Sequence, residues 1–191
     1  MPSLKKSTYF LSTSTFFIIF AINKKNSTMP APIIFLDLDG VLNTNRHLMS
    51  LQRQSLPIMD RYCYLFDPEA VANLGIIIDA TDAEIVVSSS WRCEGIDFLR
   101  EMWGIRNIPG DITGVTPRYG ATYGLENRRG WEIEKYLAIL RQSENTKRKY
   151  VIIDDHDSFL PHQQEFFIHT NSNVGITKED AERAIKILTM K

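Results

Sequence analysis

Residues 33–43 read Ile33-Ile34-Phe35-Leu36-Asp37-Leu38-Asp39-Gly40-Val41-Leu42-Asn43. An apolar run of strand length ends in two carboxylates, Asp37 and Asp39, and then a glycine. Burying such a run in a parallel sheet leaves both acids at its C-terminal mouth, where open α/β sheets bind ligands. Carboxylates this close repel unless a positive charge sits between them, so the pattern asks for a cation. Taken alone, the same residues also describe a strand running into an Asp-Gly turn.

Two further segments narrow the choice. Residues 85–92 read Ile-Val-Val-Ser-Ser-Ser-Trp-Arg, a second apolar strand that ends in hydroxyls and an arginine. Residues 150–159 read Tyr-Val-Ile-Ile-Asp-Asp-His-Asp-Ser-Phe, a third strand that ends in acids. Three strands with polar C-terminal tips, in this order, resemble motifs I, II and IV of the haloacid dehalogenase (HAD) superfamily of phosphohydrolases. The resemblance runs from about Pro32 to Leu188. Ser-Ser-Ser-Trp-Arg, Arg-Gly-Trp-Glu-Ile at 129–133, Ile-Asp-Asp at 153–155 and Thr-Asn-Ser-Asn-Val-Gly-Ile-Thr at 170–177 resemble the HAD domain of Swiss Army Knife RNA repair proteins. The implied architecture is an α/β, Rossmann-like HAD fold with a mostly parallel central sheet flanked by helices.

The rest of the chain accommodates that fold. Asp67-Pro68 supplies an N-cap and a first-turn proline, followed by Val71, Leu74 and Ile78 at helical spacing. Gly95 to Trp103 reads as a short helix and Asp111 to Thr116 as a short strand. Ile133, Tyr136, Leu137 and Leu140 form an apolar stripe. Phe166 to His169 is a fourth strand, and Thr177 to Asp180 resembles a capping box before a last helix with Ala181, Ala184, Ile185 and Leu188. Thr44 to Phe66 reads as an irregular polar stretch, too short to build a large cap domain over the site. Capless relatives present an open mouth with room for a large substrate.

With 191 residues and 43% hydrophobic content, the chain suits one α/β domain. A formal charge of −1 provides no whole-molecule attraction to nucleic acid or membrane. Cys63 and Cys93 lack disulfide or metal-ligand spacing, which points to a reducing cytoplasm. Residues 1–30 differ from the remainder: Lys5 and Lys6 precede an apolar stretch, Tyr9 to Ile22, broken by Ser12 to Thr15. It is short for a transmembrane helix and lacks a clean cleavage site. Residues 1–30 are therefore read as an N-terminal extension ahead of a phosphatase domain at 31–191, with Met29-Pro30 as the domain's own start. The alternative is a signal or membrane anchor.

The resemblance also assigns chemistry. It makes Asp37 a nucleophile that forms an aspartyl-phosphate, and Asp39 the acid and base that serves the leaving oxygen and the hydrolytic water. The alternative for Asp39 is a turn aspartate capping the Gly40 backbone. It implies Mg²⁺ held by Asp37, the Asp39 main-chain carbonyl and Asp155, with Asp154 close behind; Asp157 is a further ligand candidate or a turn cap. A phosphate oxygen falls to Ser88 or Ser89. Arg92 is either a phosphate contact or a solvated arginine. Relatives carry a basic residue, often lysine, before the helix that precedes motif IV; here Arg129 stands first and Lys135 second. His156 is a substrate contact or an exposed loop histidine. The expected activity is Mg²⁺-dependent phosphomonoester hydrolysis, on nucleic-acid ends or on small nucleotides. A catalytically inactive phosphate-binding module is the alternative, against which the retention of both Asp37 and Asp39 argues. Arg128, Arg129, Lys135, Arg141, Lys147, Arg148 and Lys149 form a basic run that either flanks the site and steers polyanions or is a solvated face.

Overall fold

The three apolar runs lie side by side. The computed structural model describes residues 30–118, 128–144 and 147–190, so the N-terminal extension, Pro30 apart, and its leader readings lie outside the described residues. In chain order come β1 (Ile33–Leu36), α1 (Asn45–Arg53), β2 (Met59–Asp60), β3 (Cys63–Tyr64), α2 (Pro68–Thr81) and β4 (Glu84–Val87). There follow a 3-10 helix at Ser90–Glu94, α3 (Ile96–Ile105), β5 (Ile112–Val115), α4 (Arg128–Glu144) and β6 (Tyr150–Asp154). A second 3-10 helix at Pro161–Phe166, β7 (Phe167–His169) and α5 (Lys178–Thr189) complete the order.

The main sheet has five parallel strands in the order β5-β4-β1-β6-β7. Helices cover both faces, the α/β architecture that the strand pattern implies. Side chains alternate between the faces. Ile34, Leu36, Ile85, Val87, Val151 and Ile153 pack with Leu74 and Ile77 of α2, Leu99 of α3 and Ala184 of α5. Ile33, Phe35, Val86 and Ile152 pack with Ile133 and Leu137 of α4. Burying each large aliphatic residue of this kind contributes roughly 1.5–3 kcal/mol.

Register sets the position of the polar tips. Leu36 lies opposite both Val87 and Ile153, so Asp37, Ser88 and Asp154 emerge together at one end of the sheet. The ladder continues past the strand ends, with Asp37 N–H donating to the Ile153 carbonyl and Ser88 N–H to the Leu36 carbonyl.

The stretch from Thr44 to Phe66 departs from expectation. It holds α1 and a two-stranded antiparallel hairpin rather than irregular chain. Thr44 caps α1 by accepting from His47 N–H, and its hydroxyl donates to Asp67, the N-cap of α2, at 2.7 Å. Tyr62 and Phe66 are buried, and Phe66 packs against Trp91 and Trp103. The stretch makes no core alone, but it completes an aromatic cluster beside the site. Among the described residues no helix is long and apolar enough to cross a membrane.

Candidate active site

Asp37 directly follows β1 and Asp154 ends β6, neighbours across the central strand pair and both almost fully buried. Leu38 N–H donates to Asp37 Oδ1 at 2.8 Å, and His156 N–H donates to Asp154 Oδ1 at 2.9 Å. Arg129, in the first turn of α4 rather than before it, lies over both, 3.8 Å from Asp37 and 3.9 Å from Asp154. Gly130 explains how α4 comes so close. A Cβ there would meet Gln163 Oε1 at 2.6 Å and Leu160 N at 2.7 Å. Instead Gly130 N–H donates to the Ser158 carbonyl, and Gln163 Nε2 donates to the Gly130 carbonyl. The helix start is pinned to the loop that follows Asp154 and Asp155.

Two ionised carboxylates in this setting are costly. Burial pushes the Asp154 carboxyl up to about 7, with the charge of Asp37 adding to it and Arg129 opposing. Burial also raises Asp37, against the lowering effects of Arg129, of a Ser89 hydrogen bond and of Leu38 N–H. Asp155 completes the acid group. Its carboxylate rests on Gly40, whose φ of +68° suits glycine and where any Cβ would overlap Asp155 Oδ2. One ligand atom from each of Asp37, Asp154, Asp155 and His156 lies within 4.8 Å of every other. The oxygen donors fit a hard divalent cation, which would relieve the repulsion that raises Asp154. Asp157 stands outside this group, exposed and accepting from Gln164 Nε2 at 2.9 Å. His156 is exposed, as a loop histidine, yet its Nδ1 lies 2.6 Å from Asp155 Oδ1.

Asp39 faces different neighbours. Trp91 Nε1 donates to its Oδ2 at 2.9 Å and Asn43 Nδ2 to its Oδ1 at 2.7 Å, with Ser90 Oγ at 3.4 Å from Oδ2. Gly40 N–H donates to Asn43 Oδ1 at 3.1 Å, so Asn43 rather than Asp39 caps the turn. That leaves the Asp39 carboxylate half-exposed and aimed by two side chains. Neither Asn43 nor Trp91 stands among the sequence-derived site residues. The spacing of Asn43, four residues after Asp39, was the available signal.

The serine pair also separates. Ser89 is fully buried, accepts from Trp91 N–H and bonds Asp37, while the Ser88 hydroxyl is buried without a partner. Arg92 is buried, which corrects the solvated alternative. Its Nη2 donates to Glu132 at 2.5 Å and its Nη1 to the Ser89 carbonyl at 2.8 Å. This buried pair joins the Ser-Ser-Ser-Trp-Arg and Arg-Gly-Trp-Glu-Ile segments, and Glu132 was not legible as a site residue. Lys135 is exposed. Of the basic run, Arg129 reaches the carboxylates, whereas Lys147, Arg148 and Lys149 precede β6 and so lie beyond its far end, more than roughly 13 Å from Asp154. Arg148 pairs there with Glu84 at 2.6 Å, and Arg141 with Glu134 at 2.8 Å.

A five-stranded parallel sheet with acids converging at its C-terminal end is the arrangement of a Rossmann-like HAD domain. Residues 33–181 match the family model described as the HAD domain in Swiss Army Knife RNA repair proteins, and the chain belongs to that family. No curated protein and no solved structure matches it. Family membership supports a HAD-type phosphohydrolase, and the acid cluster fits a metal ion.

Proposed function

We propose that residues 31–191 form a Mg²⁺-dependent phosphomonoester hydrolase that works through an aspartyl-phosphate on Asp37. The observation that carries this reading is the burial of Asp37 beside Asp154 with Arg129 as a neighbouring cation, at 3.8 and 3.9 Å. Asp37, Asp154, Asp155 and the Asp39 main-chain carbonyl would hold the ion, which when bound offsets the charge between Asp37 and an incoming phosphoryl group.

Asp37 attacks phosphorus, and the bond to the leaving oxygen breaks as Asp39 gives that oxygen a proton. Asp39 then takes a proton from the water that attacks the aspartyl-phosphate, releasing inorganic phosphate and restoring Asp37. Trp91 and Asn43 aim the Asp39 carboxylate for both transfers. The Ser88 hydroxyl, free where that of Ser89 is spent on Asp37, donates to a phosphoryl oxygen. Arg129 holds a second oxygen. Arg92 acts through Ser89 and Glu132 and positions this wall of the site.

A phosphorylated polynucleotide terminus is the substrate class to which the family description points. A small nucleotide is the second reading, favoured by the distance of Lys147 to Lys149 from the site. The free, exposed Cys63 and Cys93 support a cytoplasmic location.

The test is turnover of an aryl phosphate, mononucleotides and phosphorylated oligonucleotides by the wild-type chain and Asp37→Asn, with and without EDTA. Asp37→Asn is expected to lose at least about 10⁴-fold in kcat, as removal of a nucleophile does elsewhere. Chelation stops the wild-type reaction and Mg²⁺ restores it. Wild-type turnover by Asp37→Asn overturns the assignment.

A further inference from the structure

Among the described residues, the buried side-chain atoms without a hydrogen-bond partner include Ser88 Oγ, Thr116 Oγ1, Arg92 Nε and Arg129 Nη1. All four can donate. Ser88 and Thr116 stand at the end of the sheet, and topology brings these two together. Val87 pairs with Val115, so Ser88 at the end of β4 and Thr116 at the end of β5 are next neighbours, and Thr116 N–H continues the ladder to the Val87 carbonyl. Ser88 lies two residues past Val86, which packs on α4. Thr116 lies two residues past Gly114, where a Cβ would meet the Tyr136 ring of α4. Both hydroxyls therefore face the α4 side, the side that Asp37 shares as the residue two beyond Phe35.

One phosphoryl group on Asp37 does not reach all of these donors. Ser88 is one strand from Asp37, but Thr116 is two strands away, roughly 10 Å at about 4.8 Å per strand. A buried hydroxyl left without a partner is unfavourable, and Thr116 is 1% exposed. Arg92, bonded to the residue after Ser88, uses Nη1 and Nη2 on Ser89 and Glu132 and keeps Nε free. Burial pushes the Arg92 guanidinium down; Glu132 opposes this, while Arg129 and Arg118 lower it further, which sets two more positive charges nearby. Arg118, two residues past Thr116, is exposed at the mouth.

We propose that Thr116, Arg118 and Arg92 Nε form a second anion subsite beside the phosphoryl site, one that receives another phosphate of the same substrate. The inference rests on the hydrolase reading and narrows its substrate class. A pyrophosphate bridge is too short for the span. A phosphate carried across a sugar suits it, whether the second phosphate of a nucleoside bisphosphate or the first internucleotide linkage of a phosphorylated strand.

The experiment compares kcat/KM for a nucleoside 5′-monophosphate, the matching 3′,5′-bisphosphate and a 5′-phosphorylated dinucleotide. Wild type should prefer one or both of the longer substrates by roughly tenfold, the scale of a charge-assisted contact. Preference for the bisphosphate alone identifies a terminal phosphate as the second group, and preference for the dinucleotide identifies the linkage. Thr116→Val and Arg118→Gln should bring the ratio toward one, and Thr116→Ser should retain it. Thr116→Val removes an unpartnered buried hydroxyl at nearly constant shape, so its melting temperature should not fall. Equal kcat/KM across the three substrates in wild type overturns the subsite, as do variants that lower all three alike. If wild type turns over none of them, the hydrolase reading fails. Calorimetric titration of the wild-type chain with the same three ligands then decides the subsite: roughly tenfold tighter binding of a longer ligand supports it, and equal affinities overturn it.

Discussion

The two ends of the sheet arrange their charged groups in opposite ways. At the end where β6 begins, Arg148 pairs with Glu84 and Glu144, Arg141 pairs with Glu134, and Lys149 donates to the Met190 carbonyl. A cavity of about 730 Å³ opens there, lined by Leu137, Leu140, Tyr150, Phe166 and Ile187. At the end where β1 and β6 finish, Asp37 and Asp154 crowd each other, and Ser88, Thr116, Arg92 and Arg129 keep unpartnered donors. Unsatisfied buried polarity, rather than the size of a hollow, marks the end at which the chemistry is placed.

That contrast can be broken first through the Arg92–Glu132 pair. Both side chains are buried, so Glu132→Ala leaves a guanidinium uncompensated and should cost about 3–5 kcal/mol in urea unfolding. Arg92→Met combined with Glu132→Leu should recover much of that loss, because an apolar replacement removes both desolvation terms. Recovery of stability without recovery of phosphatase turnover would give the pair a part in the site beyond folding alone.

A smaller effect follows from the raised carboxyl of Asp154. Its folded pKa, about 7, lies above the ordinary value of 3.8, so the native state binds more protons than the unfolded state between those limits. In EDTA this group's contribution falls as pH rises from about 4 to about 7, and is constant above. Mg²⁺ should raise the melting temperature most above pH 7, and little near pH 5 where protons compete for the same oxygens. A Mg²⁺ shift independent of pH would detach metal binding from Asp154.

The smallest change is expected at the opposite end. Glu84→Gln breaks a partly exposed pair with Arg148, which retains Glu144 and the Ala31 carbonyl, and should cost at most about 1 kcal/mol. A loss as large as that of Glu132→Ala would erase the distinction between the two ends.

What the sequence revealed follows the same division. Ile33–Leu36, Ile85–Val87 and Tyr150–Ile153 are legible because an apolar run closed by acids or hydroxyls has one economical place in a parallel sheet. The capping box at Thr177 and the proline start at Pro68 are local signals, and both are present in the structure. Helix α1 escaped notice because it buries none of its nine residues fully, and its apolar pair, Leu48 and Leu51, is short and only partly covered. Arg92 could not be told from a solvated arginine, because its partner lies 40 residues away on another element. Ser88 and Ser89 could not be separated, since the period-two rule ends where the strand does and Ser89 already caps the 3-10 helix.

The seating of Gly130 against Leu160 and Gln163 has a dynamic consequence. It ties the backbone that carries Arg129 to the loop that carries Asp155 and His156, through Ser158 and Gln163. The cationic and anionic walls of the cleft are therefore joined by hydrogen bonds at this junction. The reorganisation needed to oppose these charges is completed when the chain folds and is not repeated at each encounter with a ligand.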